Sequence, residues 1–213
     1  MPSQGQARGP GPEPGRRERR KLEVRARIVE AALALFDAGG YEATRVAEIC
    51  DRADVAHKTF FNHFATKQQV LEAIARGAMD DQLAGIEELR KRRLSTRERI
   101  VALFEWIADR AEQAGAMRPE LVHEIIRFTH ATHPENEARK LHDAFAGIVR
   151  DGLAAGDVTR AHDEETLVEM LLGAYYAVML NWTNFDGYPL RQRARAAARF
   201  LAGAMTVEPG GGR

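Results

Sequence analysis

Cys50 is the sole cysteine in 213 residues, so no intramolecular disulfide can staple the fold. That suits a reducing compartment, and Cys50 reads as a small buried apolar group before it reads as a redox sensor. Serine is almost as scarce. Ser3 lies in a Gly/Pro-rich tail and Ser95 at an expected helix cap, which leaves no candidate nucleophile. No glycine-rich phosphate loop is present, so nothing supports an enzyme and no cofactor is expected. No apolar run reaches the roughly 18 residues of a membrane helix. No N-terminal apolar stretch reads as a signal peptide, and a cytoplasmic location is expected. Alternating strand patterns of useful length are missing as well. Formal net charge is +0, so no global field draws the chain to nucleic acid.

Histidines His123, His130, His133 and His142 form only a loose group. Seven residues of helix rise about 10 Å, so His123 and His130 cannot share one ion. His130 and His133 lie closer, but no tight ligand spacing supports a metal site, and surface or capping roles are the plainer reading.

What is present is helical punctuation around 45% hydrophobic residues, enough for a core. Residues 1–15 hold four Gly and four Pro and read as a disordered tail, as do residues 208–213. Seven of the next twelve residues are basic: Arg16, Arg17, Arg19, Arg20, Lys21, Arg25 and Arg27. They form either a solvated helix start or an arm that touches phosphate or minor groove. Residues 1–76 carry 13 basic and 10 acidic groups and the remainder 18 and 21, a mild asymmetry toward a basic N-terminal end.

A helix is expected from about Arg17 to Ala38, with Val24, Ile28, Ala31, Ala32, Leu35 and Phe36 as its buried stripe and Gly39-Gly40 as its stop. Residues 44–67 then divide into two short helical segments around the break Ala53-Asp54-Val55-Ala56. Val46, Ile49, Cys50 and Ala53 make the apolar side of the first, and Phe60 and Phe64 anchor the second. Two short helices across so tight a turn form the helix-turn-helix pattern, whose second helix can enter the DNA major groove. His57, Lys58, Thr59, Asn62 and His63 then face outward as groups able to meet phosphates and base edges.

The stretch from about Ala26 to Ala75 resembles the DNA-binding domain of the TetR family of bacterial transcription regulators. The resemblance rests on Ile28, Ala31, Ala32, Leu35, Phe36, Gly40, Tyr41, Thr44, Val46, Ile49 and Ala53. It continues through Val55, Thr59, Phe60, Phe61, His63, Phe64, Lys67 and Leu71. There are departures. Asp54 stands where the family usually has Gly, at a position expected to need a left-handed backbone. Arg45 replaces a common Thr, so Thr44 is expected to cap the second helix instead. Phe61 replaces a common Tyr and lacks the hydroxyl that would reach phosphate, and Lys58 adds a cation. Carried to this chain, the resemblance implies base-edge contacts from His57, Lys58 and Thr59. Phosphate contacts are expected from Thr44, Arg45, Asn62, His63 and Lys67, with Phe61 on the same face.

Beyond Thr66, an expected N-cap, a long helix runs toward Leu89 with Gly77 and Gly85 as weak points. Ser95 with Glu98 forms a capping box for the next helix. Pro119, Pro134, Asp163 or His162, and Pro189 open four more. Val168–Trp182 is apolar around most of its circumference, and the last helix carries many small residues, so the two suit a dimer interface. The resemblance also implies a small-molecule pocket among the middle helices. Phe104, Ile107, Val122, Ile125, Phe128, Phe145, Val149, Tyr175 and Met179 line it or are simply core, with Tyr175, Tyr176, Trp106 and Arg127 as polar handles. The scarcity of charge there suits a hydrophobic ligand.

The expected architecture is therefore all-α and TetR-like. A three-helix DNA-binding domain (16–66) precedes a helical ligand-binding and dimerisation domain (67–207). The expected function is a homodimeric repressor of a palindromic operator on double-stranded DNA, released by an effector. An activator, a ligandless regulator, and a helical interaction module without DNA binding are the alternatives.

Overall fold

Local capping chemistry sets several of the helix ends. The computed structural model describes residues 15–113 and 134–207. The helix expected at Pro119 lies outside them. Among the described residues eight helices follow in chain order: α1 Arg16–Gly39, α2 Val46–Ala53, α3 His57–His63, α4 Lys67–Lys91, α5 Thr96–Gln113, α6 Pro134–Ala155, α7 Glu164–Asn184 and α8 Leu190–Met205. The protein is all-α. One isolated antiparallel bridge, Val158 with Thr206, ties the end of the chain to the α6–α7 connection.

Three expected caps are formed. Thr66 Oγ1 accepts the Gln69 N–H at 3.2 Å. Ser95 and Glu98 exchange bonds as a capping box, Ser95 N–H to Glu98 Oε2 at 2.9 Å and Glu98 N–H to Ser95 Oγ at 3.3 Å. Asp163 Oδ1 accepts the Thr166 N–H at 2.8 Å. Each such cap satisfies a donor that the helix itself cannot, a gain of about 1 kcal/mol. α1 stops at Gly40, whose N–H donates to Phe36 O from φ 85°, a backbone region that favours glycine.

The buried side chains form two clusters. The first joins Ile28, Ala32 and Phe36 of α1, Ile49 and Cys50 of α2, Phe60 and Phe64 around α3, and Val70, Leu71, Ile74 and Ala75 of α4. The second begins at Ile86 and gathers the inner faces of α4 to α8. α4 thus serves both clusters, and its first turns pack with the N-terminal one, past the expected boundary at residue 66. Within the second cluster α5 packs closely along α8. α4 meets α5 closely at Gly85, where the Trp106 ring lies flush on the backbone.

Candidate nucleic-acid interface

α2 begins differently from expectation. Its N-cap position is Arg45, whose backbone N–H donates to Glu48 Oε2 at 2.6 Å. Thr44 does not cap α2: its hydroxyl donates to Gly40 O at 2.8 Å, and the side chain is buried. The α1 stop is only four residues away, and its carbonyl holds Thr44 inward. A phosphate contact from Thr44 would need that side chain to leave its partner. Arg45 is exposed at the same corner.

α2 ends at Asp54 with φ 50° and ψ 57°, the left-handed conformation expected there. Asp54 is the sole non-glycine with positive φ among the described residues. Its N–H donates to Asp51 O at 3.3 Å and the Val55 N–H to Cys50 O at 3.0 Å, so the turn closes on the last carbonyls of α2. The chain then re-enters helix after Ala56. Phe60 and Phe64 are buried, each with a transfer gain of about 1.5–3 kcal/mol for a fully buried large apolar side chain. They fix which side of α3 faces the body.

The opposite side carries His57, Lys58, Phe61 and Asn62, all exposed, with Thr59 half-buried between them. Phe61 is 50% exposed, its ring edge-on to Phe60 at 5.3 Å and 5.8 Å from His57. A free aromatic beside two polar groups offers apolar contact to a thymine methyl where a tyrosine would offer a hydroxyl.

His63 lies less openly than expected. It is half-buried and its Nδ1 is enclosed without a hydrogen-bond partner. Burial, then the charges of Arg25 and Lys21, push its imidazole pKa down, so the ring stays neutral near neutral pH. Its carbonyl accepts from Arg25 Nη1 at 3.1 Å, and that guanidinium lies 4.0 Å over the Phe64 ring. Arg25 of the basic stretch therefore braces α3 from α1, while Arg16, Arg17, Arg19, Arg20, Lys21 and Arg27 remain exposed. Lys67, expected at a phosphate, places its ammonium on the backbone carbonyls of Tyr41, Glu42 and Thr44.

In the second cluster Phe104, Ile107, Phe145, Val149, Tyr175 and Met179 are all buried and share one core. Val122, Ile125, Phe128 and Arg127 lie outside the described residues. Tyr175 is a polar handle as expected. Its hydroxyl donates to Gln82 Oε1 at 3.1 Å, and burial pushes its pKa up to about 12, so it remains a donor. The Gln82 amide nitrogen is buried with no acceptor. Sequence reading missed Gln82, although its spacing of four from Ile86 places it on the inward face of α4. Trp106, also expected as a handle, packs on Gly85. A separate groove of about 600 Å³ lies among Trp182, Tyr188, Leu190, Arg191 and Arg195. Two of its arginines are paired, Arg191 with Asp109 and Glu112 and Arg195 with Glu105, and Arg199 also lines it.

Cys50 is buried in the first cluster, and its pKa is raised by burial and then by Asp51. Among the described residues no three potential metal ligands come together. His142 pairs with Glu165 at 3.1 Å, and the other three histidines of the loose group fall outside the described residues. No helix among the described residues is long and apolar enough to cross a membrane.

Residues 28–74, which hold the candidate contacts from Thr44 to Lys67, match the family model for bacterial regulatory proteins of the tetR family. The transcriptional regulator TcmR of Streptomyces glaucescens is 44% identical over 57 residues, a stretch covering 27% of this chain and 25% of that protein. The repressor KstR2 of Rhodococcus jostii is 27% identical over 154 residues, 69% of this chain and 74% of its own length. The fold also matches the crystal structure of the regulator FadR from Bacillus subtilis in complex with stearoyl-CoA. That match has a TM-score of 0.67 and 17% identity, and it covers 83% of this chain and 97% of that one. At such identity the last likeness is one of fold. Residues 28–74 are thus a DNA-binding domain of the tetR family of bacterial regulatory proteins, and the relatives named here are transcription regulators.

Proposed function

We propose that this protein is a repressor that binds a palindromic operator as a homodimer and leaves it when a small-molecule effector binds the second cluster. The observation that carries the reading is the α2–α3 pair. A buried Phe60/Phe64 side holds α3 to the body while His57, Lys58, Phe61 and Asn62 stand free on the other side. His57, Lys58 and Thr59 are assigned to base edges, Arg45 and Asn62 to phosphates, and Phe61 to apolar contact in the groove. Such a regulator works in the cytoplasm, beside the DNA it reads.

A two-fold partner is supported by large apolar side chains left in solvent. Met170 and Leu180 on α7, and Phe200 on α8, are 55%, 40% and 75% exposed. Gly173 and Ala177 lie between the α7 pair, and Gly203 and Ala204 follow Phe200, so another helix can approach closely. The apolar second cluster with its Tyr175–Gln82 pair suits a ligand that is mostly hydrophobic and carries a hydrogen-bonding group. The similar FadR is described in complex with stearoyl-CoA, and a long acyl thioester is the first effector class to try. An effector that binds one spacing of the two recognition helices better than the other would shift the dimer away from the operator-fitting state.

Selection of bound sequences from a random duplex pool tests the reading. Two inverted half-sites about one helical turn apart are the expected outcome. No enrichment by folded protein, with and without acyl-CoA extracted from the preparation, would overturn it.

A further inference from the structure

The Lys67 ammonium has three N–H donors, and all three have acceptors within the protein. Nζ lies 2.6 Å from Tyr41 O, 3.2 Å from Glu42 O and 3.0 Å from Thr44 O. It also stands 4.3 Å over the Tyr41 ring, a cation–π contact. An ammonium offers no fourth donor, so a phosphate could be reached only by giving up one of these carbonyls. The side chain is half-buried rather than extended toward solvent.

The two partners of this contact are the parts that set the recognition helix. Lys67 is the first residue of α4, and residues 41–44 join α1 to α2. That connection is itself seated, because the Tyr41 ring packs edge-on to Phe36 at 5.1 Å. Arg45, which opens α2, follows directly. The corner before α4 is likewise held, with the Ala65 N–H donating to Gln69 Oε1 at 2.8 Å. Lys67 therefore bolts the start of α4 to the start of α2, bypassing α3.

We propose that Lys67 is a positioning residue that makes no DNA contact and instead holds the helix-turn-helix at its reading angle against α4. This rests on the DNA-binding reading above. It differs from the plain expectation for a lysine at this face, which is a phosphate contact.

The test compares K67M and K67R with wild type by fluorescence anisotropy, using the selected operator and a random-sequence duplex across a salt series. A lost phosphate contact lowers the slope of log K against log salt by about 0.9 and weakens both duplexes alike. A lost positioning contact leaves the slope unchanged and weakens the operator by about tenfold, the size of one charge-assisted hydrogen bond, while random-duplex binding holds. Simple loss of folded protein would reduce both in proportion and leave the ratio alone. K67R keeps the charge, but its flat fork does not place three donors on carbonyls converging at one point. It should fall with K67M. A K67M slope lower by one contact, with K67R restoring wild-type binding, overturns the proposal.

A second measurement needs no variant. With five lysines in the chain, the side-chain ammonium spectrum of ¹⁵N-lysine protein is resolvable. An unchanged Lys67 signal on adding operator supports the assignment, and a scalar coupling from its Nζ to ³¹P overturns it. Wild-type protein that gives no saturable shift on any duplex would fail the DNA-binding reading itself, a result separate from either variant outcome.

Discussion

Gly77 and Gly85 lie eight residues apart on α4, and the same substitution should move stability in opposite directions at the two. A Cβ on Gly85 would stand 2.1 Å from Trp106 Cζ2, 2.4 Å from Cη2 and 2.8 Å from Cε2. Carbon atoms rest at about 3.5–4.0 Å, so the ring would have to retreat by well over an ångström. It cannot do so cheaply, because Trp106 packs against the second core cluster. Overpacking of this kind costs about 1–3 kcal/mol, and the helix gain from Gly to Ala returns about 1 kcal/mol. G85A should therefore lose up to about 2 kcal/mol, a melting decrease of up to about 8 °C for a chain of this size. A Cβ on Gly77 meets nothing within 4 Å. G77A should keep the helix gain and stabilise by about 0.5–1 kcal/mol. Urea unfolding of both variants at one fixed protein concentration reads the difference. If G85A proves as stable as G77A, the close approach of α4 and α5 at Trp106 is wrong. Restored stability in G85A combined with Trp106→Leu would confirm the ring as the obstacle.

Asp54→Gly should raise stability by about 1 kcal/mol, because Asp54 holds a left-handed turn at the C-terminal, electronegative end of α2, and Asp54→Ala should lower it. The urea midpoint of the pair checks the sign. Asp151 accepts Arg90 Nε at 2.9 Å and Nη2 at 3.0 Å, and that pairing depresses its pKa. A depressed carboxyl stabilises above its unfolded pKa and loses that contribution as pH falls through the folded one. The stability gap between wild type and D151N should be present at pH 7 and close below about pH 4. Phe200→Glu should convert a dimer to monomer by sedimentation. Burying a phenylalanine gains about 1.5–3 kcal/mol, and a two-fold axis counts it twice.

What could be read from the sequence was mostly local. The caps at Thr66, Ser95 with Glu98, and Asp163 depend on atoms within three residues, and each formed as expected. The left-handed turn at Asp54 was implied by the resemblance, in which Asp54 stands where glycine is usual. The cap of α2 did not follow, because Thr44 is claimed by Gly40 O and the choice depends on where α1 stops. The carbonyl contacts of Lys67 were hidden for the same kind of reason at longer range. A lysine on a polar face reads as solvent-facing until the α1–α2 connection brings three carbonyls to it. Gly77 and Gly85 both read as weak points, and only the tertiary crossing separates open space from the Trp106 ring. His63 looked like a fully outward hydrogen-bonding group for want of any local sign that Arg25 would lie beside it.

α4 has a further consequence. Its N-terminal turns are buried in one cluster and its C-terminal turns in the other, while Arg76, Gly77, Ala78, Asp80 and Asp81 between them are exposed. This span works as a drive shaft whose phase matters and whose side chains hardly do. Inserting one residue there would turn the reading head by about 100° and advance it by about 1.5 Å, so a two-fold pair of heads would no longer face the same groove. Inserting seven would return it to within about 20° of its original phase but carry it outward by about 10.5 Å. Heads exchanged between relatives would then need matching in helical phase rather than in sequence at the joint, and operator spacing would follow the length of the shaft.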